Sequence, residues 1–381
     1  MKIIIYRRID STNVNLVEER LNKELENVST DEVITIDASE LEYVSSAGLR
    51  IILKIKKRFP NTNIINCNQE VYNIFEVTGF TEMMSISKTF KEISVDGCEV
   101  IGEGAYGKVY RIDPETIVKV YKNKDSLDVI NRERNKARKA FVLGIPTAIS
   151  YDIVKVDEYY GTVFEMLNAK SFAELLNEGE SIDKLVDESV RILKQIHSTK
   201  NKLGDLPDKK EETLGWVKFD RDYLPKEIGD KLIKLIEDIP NTNTVIHGDY
   251  HVKNLMHTND DNLLIDMETL SVGYPILELA CLYTIYEGFE CFNKKNPEEF
   301  LGIPADTCRE FCELLIEKYF DSKDEKTIEE IKNKIKIICY ARLLRRQLVH
   351  YGEDNEEAKK SIEYCKNYLI ENVPKVDSLV F

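Results

Sequence analysis

At 381 residues, 43% hydrophobic and 32% charged, the chain has the composition of a soluble globular protein with enough apolar material for two domains, which excludes disordered and fibrous classes. Its formal charge of −15 opposes a nucleic-acid partner, because gripping a phosphate backbone needs local cationic excess. No stretch reaches the length of a membrane span, and MKIIIYRRID runs into charge too early for a signal peptide, so no membrane contact and a cytoplasmic location are expected.

The first ninety residues have an alternating α/β rhythm. KIIIYRRI (2–9) reads as a strand. After Ser11 and Thr12, both candidate caps, Val14, Val17, Leu21, Leu25 and Val28 recur at helical spacing. VITID (33–37) is a short β-branched strand. Leu49, Ile52, Leu53 and Phe59 line a second helix that Pro60 ends. NIIN (63–66) is a third strand, and Val71, Ile74 and Phe75 mark a helix stopped at Gly79. Strands alternating with helices give a small layered α/β domain. The polar FKEISVDGCEV (90–100) contains the junction, so the expected domains are 1–92 and 93–381.

VIGEGAYGKVYRI (100–112) sets Gly102, Gly104 and Gly107 between two strand-like stretches. A lone GxGxxG is weak, and a dinucleotide fold requires that it open a helix. Here strand follows strand, so this is a hairpin: either an ordinary one, or one that folds its backbone over phosphates with glycines permitting close approach. Lys119 lies in the next strand, on the face opposite Val118 and Val120. It faces water or an anion. Fourteen residues on, NRERNKARKAF (131–141) reads as a helix and offers Glu133 as a partner for that ammonium.

The segment HGDYHVKNLM (247–256) has histidines at i and i+4 with Asp249 between them, the outline of half a metal site or of a phosphoryl-transfer loop. A zinc helix of the HExxH type needs Glu beside the first His, where Gly248 stands, and a third ligand, for which only His197, His257 and His350 remain. Asp249, Asn254 and Asp266, the last at the end of NLLID, offer the oxygens that magnesium and a hydroxyl substrate require. The eight cysteines form no CxxC pair and read as reduced, mostly buried thiols; Cys308 and Cys312, at i and i+4, share a helix face.

Two resemblances follow. IDASELEYVSSAGLRIIL (36–53), with IFEVTGF closing the stretch, resembles the STAS domain, the anti-sigma-factor-antagonist fold, across nearly all of residues 1–90. That likeness implies a docking or regulatory role and makes Ser46 the candidate phosphosite, although Ser45 stands where the family usually has Asp. The simpler reading is that Ser46 caps the helix it precedes. From about 95 to 350 the ordered set of segments resembles the protein-kinase-like phosphotransferases, in their aminoglycoside phosphotransferase and choline kinase branch. The implied architecture is an α/β STAS-like layered domain followed by an α+β bilobal protein-kinase-like domain, with an N-lobe of about 93–168 and a C-lobe of about 169–381.

By match to that branch, Asp249 orients and deprotonates the acceptor hydroxyl. Asn254 and Asp266 hold Mg²⁺ against the ATP phosphates. Lys119, steadied by Glu133, contacts those phosphates beneath the loop of Gly102, Gly104 and Gly107. FEMLN (164–168) is the hinge, with the backbone of Glu165 and Leu167 reading adenine. His247 and His251 shape the loop, and His197 is a packed core residue. Glu278 replaces the Asp that braces the catalytic loop in the branch, so that brace is expected to differ. Only METLSV separates Asp266 from GYP, too little for a peptide platform, so a small hydroxylated acceptor is expected, with an acidic C-terminal half suited to an aminated one. A signalling kinase directed at Ser46 or a partner protein ranks second, and a nucleotide-binding pseudokinase scaffold third.

Overall fold

The computed structural model describes residues 1–104, 107–202, 204–259, 261–353, 355–356 and 358–381, and only the backbone of Tyr6. The chain divides into two compact units, 1–96 with 153–161, and 97–152 with 162–381.

The first unit is built from β1 (Lys2–Ile9), α1 (Val14–Glu24), β2 (Ile34–Val44), α2 (Ser46–Arg58), β3 (Thr62–Cys67), α3 (Gln69–Val77), α4 (Phe80–Met83) and β4 (Ile86–Lys88). The strands pair in the order β1-β2-β3-β4, all parallel. Ile3, Ile5, Ile34 and Ile36 from the strands meet Leu49, Ile52, Ile55, Val71 and Phe75 from the helices in one buried core. β2 runs on to Val44, well past the apolar VITID, because its later residues pair with the far end of β1. The helix caps differ from expectation. Neither Ser11 nor Thr12 caps α1; Thr12 instead closes a turn onto the Asp10 carboxylate through its backbone N–H and hydroxyl. Ser45 caps α2 by accepting from Gly48 N at 3.4 Å, whereas Ser46 is already the first helical residue and is exposed. The capping role expected of Ser46 therefore belongs to its neighbour. The short strand β5 (Lys91–Glu92) follows.

The second unit opens with the antiparallel meander β6 (Glu99–Glu103), β7 (Gly107–Asp113) and β8 (Thr116–Tyr121), then α5 (Leu127–Val142), β9 (Ser150–Val156) and β10 (Tyr159–Glu165). Residues 153–161 group with the first unit, where β5 pairs in parallel with β9. Beyond the hinge come β11 (Ala169–Ser171), α6 (Phe172–Asn177), α7 (Ile182–Ser198), α8 (Lys209–Asp220) and α9 (Lys226–Glu237). Four short strands follow, β12 (Val245–Ile246), β13 (Leu255–Thr258), β14 (Asn262–Leu264) and β15 (Ser271–Val272). The helices α10 (Ile276–Tyr286), α11 (Asn296–Leu301), α12 (Ala305–Phe320), α13 (Glu325–Tyr351) and α14 (Lys359–Asn372) complete it. Every residue of α10 is buried, as an all-round apolar helix must be. Cys308 and Cys312 share the buried face of α12, and all eight cysteines are free thiols. Two small ribbons, β12–β15 and β11–β13–β14, fix the segments on which the site is built. Among the described residues no helix is long and apolar enough to cross a membrane.

Candidate active site

The glycine hairpin is the outer wall of the site. Gly102 and Gly107 end β6 and begin β7, and Gly104 N donates to Gly107 O at 2.9 Å across the turn; Ala105 and Tyr106 at its tip lie outside the described residues. Gly107 is required by packing, since a Cβ there would run into the Val120 carbonyl. Gly104 meets no such obstacle; its carbonyl accepts from Lys122 Nζ at 2.9 Å.

Beneath the hairpin, Lys119 Nζ lies 2.8 Å from Glu133 Oε1, joining β8 to α5. Tyr121, two residues on and so on the same strand face, donates to Glu133 Oε2 at 2.7 Å. Burial works against the Lys119 ammonium, but the Glu133 carboxylate, Tyr121 and Asp266 more than offset it and hold the lysine charged well above its usual range. At the hinge, Met166 N is already engaged by Glu115 O at 2.7 Å, while Glu165 and Leu167 line the cavity.

The segment 247–254 spans from β12 to β13, and both ends are clamped. Gly248 has φ +84°, and a Cβ there would approach Thr269 O to 2.8 Å, so this turn admits only glycine. Thr269 Oγ1 donates to His247 O at 2.7 Å. Asn254 Nδ2 donates to Asp249 O at 2.9 Å and to Asp249 Oδ2 at 3.3 Å, which leaves Asn254 Oδ1 as the free end of the amide. His251 Nε2 sits 3.5 Å from Asp249 Oδ2. Burial raises the Asp249 pKa, but His251, His247 and Arg342 outweigh it, so the carboxylate is ionised below its usual range. His247 Nδ1 and His251 Nδ1 each accept from a backbone N–H two residues on, at 3.3 Å, which fixes them as loop-shaping groups. Asp266 follows β14 in a left-handed conformation, φ 63°, beside Asn254, whose carbonyl accepts from Ile265 N at 3.0 Å.

Glu278, where the brace on this loop was expected to differ, makes two bonds to it. Its longer side chain reaches from α10 to accept from His247 N and, at 2.8 Å, from Gly248 N. Behind it, His197 Nε2 stands 3.9 Å away, an ion-pair rather than a hydrogen-bond separation, and His197 Nδ1 bonds Tyr319 OH at 2.7 Å. Burial opposes the Glu278 charge, and His197, His247 and Gly248 N–H hold its pKa below the usual range all the same.

One cavity of about 560 Å³ gathers these parts: Gly102, Gly104, Gly107, Lys119, Glu133, Glu165, Leu167, Asn254 and Asp266 all line it. Asp249 lies just outside the lining, tied to it through Asn254. Ser46 is in the other unit. The residues not singled out from sequence are Tyr121, legible by strand alternation from Lys119, and Arg342, whose effect on Asp249 leaves no local trace in the sequence.

A family model described as "Phosphotransferase enzyme family" matches residues 97–294, more than half of the chain. The chain belongs to this family. It is a phosphotransferase acting on an alcohol group, preceded by a STAS domain, whose own model matches residues 3–93. No curated protein matches the sequence. Among solved structures, the phosphotransferase is similar to the apo form of a thermostable mutant of aminoglycoside phosphotransferase APH(4)-Ia, with 12% identity, TM-score 0.49, and coverage of 73% of this chain and 94% of that one. It is also similar to ADP-bound aminoglycoside phosphotransferase APH(2'')-Ib, with 15% identity, TM-score 0.47, and coverage of 83% and 100%. A choline/ethanolamine kinase family protein from Mesorhizobium loti gives 15% identity, TM-score 0.45, and coverage of 73% and 92%.

Proposed function

We propose that the chain transfers the γ-phosphoryl group of ATP, with Mg²⁺, to a hydroxyl of a small molecule, through a phosphotransferase domain at 93–381 that a STAS domain at 1–92 docks or regulates. The observation that carries this reading is the cavity in which the glycine hairpin, the Lys119–Glu133 pair, the hinge backbone, Asn254 and Asp266 converge next to an ionised Asp249. Glu165 and Leu167 backbone groups read the base. Lys119, held by Glu133, and the amides beside Gly102, Gly104 and Gly107 neutralise the phosphates.

Magnesium fits the donors that are there, since it takes one or two protein oxygens and completes its shell with phosphate and water. Asn254 Oδ1 and the Asp266 carboxylate would hold it, and it would supply charge neutralisation between the phosphates. Asp249 accepts the proton as the acceptor oxygen bonds to the γ-phosphorus and the bridging bond to ADP breaks.

A small acceptor is favoured by the path after Asp266. A single turn, Met267–Thr269, leads directly into β15, which pairs with β12, so no surface is built there for a peptide. The soluble composition and charge favour a cytoplasmic protein without nucleic-acid or membrane partners. The test is ATP consumption by the full chain with Mg²⁺ in wild type and Asp249→Asn. The variant is expected to lose about 10²–10⁴-fold, and unchanged turnover would sink the assignment. One observation favours a second reading: Ser46 is exposed at the first turn of α2 and free of the capping bond. One phosphoryl group gained at Ser46 by the active protein only, read by intact-protein mass spectrometry, would make the chain a signalling kinase.

A further inference from the structure

Asp266 holds its place in the cavity from a backbone conformation that the chain does not favour. Its φ of 63° puts a residue with a side chain in the left-handed region, a state that lasts only where the surroundings enforce it. The single turn that follows, Met267–Thr269, is held from outside at two points. Thr269 Oγ1 donates to His247 O at 2.7 Å, tying the turn to the loop that carries Asp249. Lys136 Nζ donates to Glu268 O, tying the same turn to α5. Glu268 N in turn donates to Asp266 Oδ1 at 3.4 Å, so the ammonium holds the residue whose amide meets the carboxylate assigned to magnesium.

Lys136 is half-buried and stands three residues after Glu133, so both side chains leave the same flank of α5. Glu133 goes to Lys119 on β8, 2.8 Å away, and Lys136 goes to the turn after Asp266. A bond donated by an ammonium is stronger than one between neutral groups, and it has to be, since ordering a lysine gives up rotamer freedom that a solvated one keeps. Lys139, farther along the helix, makes the contrast. It reaches Asp205, with the carbonyl at 3.3 Å and the carboxylate at 3.8 Å, and Asp205 does not line the cavity.

We propose that Lys136 is a positioning residue for the metal: by fixing Glu268 O it sets where the Asp266 carboxylate stands. One helix, α5, then places both the lysine that grips the phosphates and the carboxylate that holds Mg²⁺. The inference rests on the phosphotransfer reading of the site and adds to it a residue that itself lies outside the cavity lining. Without Lys136 the turn is free to relax away from its left-handed start and the metal loses a ligand, while the hinge and the Lys119–Glu133 pair keep their hold on the nucleotide.

Nucleotide binding gives a readout that needs neither turnover nor an acceptor. ADP is titrated calorimetrically into the full chain, first with EDTA and then over a series of Mg²⁺ concentrations, in wild type, Lys136→Met, Lys136→Arg and Lys139→Met. In wild type, Mg²⁺ is expected to tighten ADP binding. Lys136→Met should raise the Mg²⁺ concentration that gives half of this effect by about tenfold, with the ADP affinity in EDTA within about twofold of wild type. Lys136→Arg keeps a charged donor and should recover part of the shift, and Lys139→Met should show none. The proposal is overturned if Lys136→Met leaves the Mg²⁺ dependence unchanged. It is overturned equally if ADP binding in EDTA weakens by the same factor, or if Lys139→Met shifts the Mg²⁺ dependence as far, since either would make α5 a general strut. A wild type whose ADP binding ignores Mg²⁺ would defeat the magnesium reading and this inference with it. Unchanged ATP turnover in Asp249→Asn would defeat the assignment of the base alone and leave the result for Lys136 standing.

Discussion

Glu278 on α10 and Asp220 at the end of α8 are carboxylates in the same helical lobe, and both are 0% exposed. Burial pushes each toward the neutral acid. At Glu278 two loop amides and nearby histidines reverse the push, and its pKa is lowered. At Asp220 neither oxygen has a hydrogen-bond partner, the Arg345 charge offsets little, and burial carries the pKa up to about 8. Depth in the core does not decide charge here; the donors do. The charge is kept where it holds the turn that carries Asp249, and given up where nothing depends on it. The largest expected effect breaks the first half of that contrast. Glu278→Leu leaves two buried N–H groups unpaired and should cost about 2–6 kcal/mol in denaturant unfolding. With the Asp249 turn released, kcat should fall by about 10²-fold. Glu278→Gln, which keeps one acceptor oxygen, should lose less on both counts. Equal losses in the two variants would mean that the side chain matters as filling and not as an acceptor.

The second half is broken through pH. Between the ordinary value of 3.8 and about 8, native Asp220 holds a proton that the unfolded chain has released. The native state binds more protons in that window, so this group makes stability fall as pH rises through it, and the fall levels off above pH 8. Asp220→Asn removes the titration. The difference in unfolding free energy between variant and wild type should grow in favour of the variant by about 1.4 kcal/mol per pH unit inside the window. Parallel profiles from pH 4 to pH 8 would show that Asp220 is ionised in the folded chain.

How much of this was legible in the sequence follows the range of each interaction. Three strands and three helices of the STAS unit were legible from spacing, because β-branched runs and i, i+3, i+4 patterns are local, whereas the short α4 and β4 were not read. The contact of Lys119 with Glu133 was legible for a similar reason: a strand and the next helix, fourteen residues apart, have few ways to meet. Choosing Ser46 over Ser45 as the cap failed because a cap depends on the residue at which helical dihedrals begin, and one position is below what periodicity resolves. The form of the brace by Glu278 is not legible from residue type alone, because its reach depends on the distance from α10 to the loop. Arg342 was out of sight altogether. Ninety-three residues separate it from Asp249, and ARLLRRQLVH (341–350) reads as an amphipathic helix whichever way its arginines point.

The smallest expected effect sharpens the comparison at its edge. Tyr319 OH bonds His197 Nδ1 at 2.7 Å, and the other ring nitrogen faces Glu278 at 3.9 Å, too far for a hydrogen bond. The support that Glu278 receives from this direction therefore acts at a distance, through a ring that Tyr319 holds in place. Tyr319→Phe removes that hydroxyl but keeps the ring, which also packs edge-on against Phe320 at 5.0 Å. A loss of about 1 kcal/mol is expected, the net worth of one hydrogen bond. Turnover should change by much less than in Glu278→Leu, since the two loop amides keep their carboxylate. If turnover fell as far in Tyr319→Phe as in Glu278→Leu, the amides alone would not be enough to hold Glu278 ionised, and the placement of His197 would be what separates its state from that of Asp220.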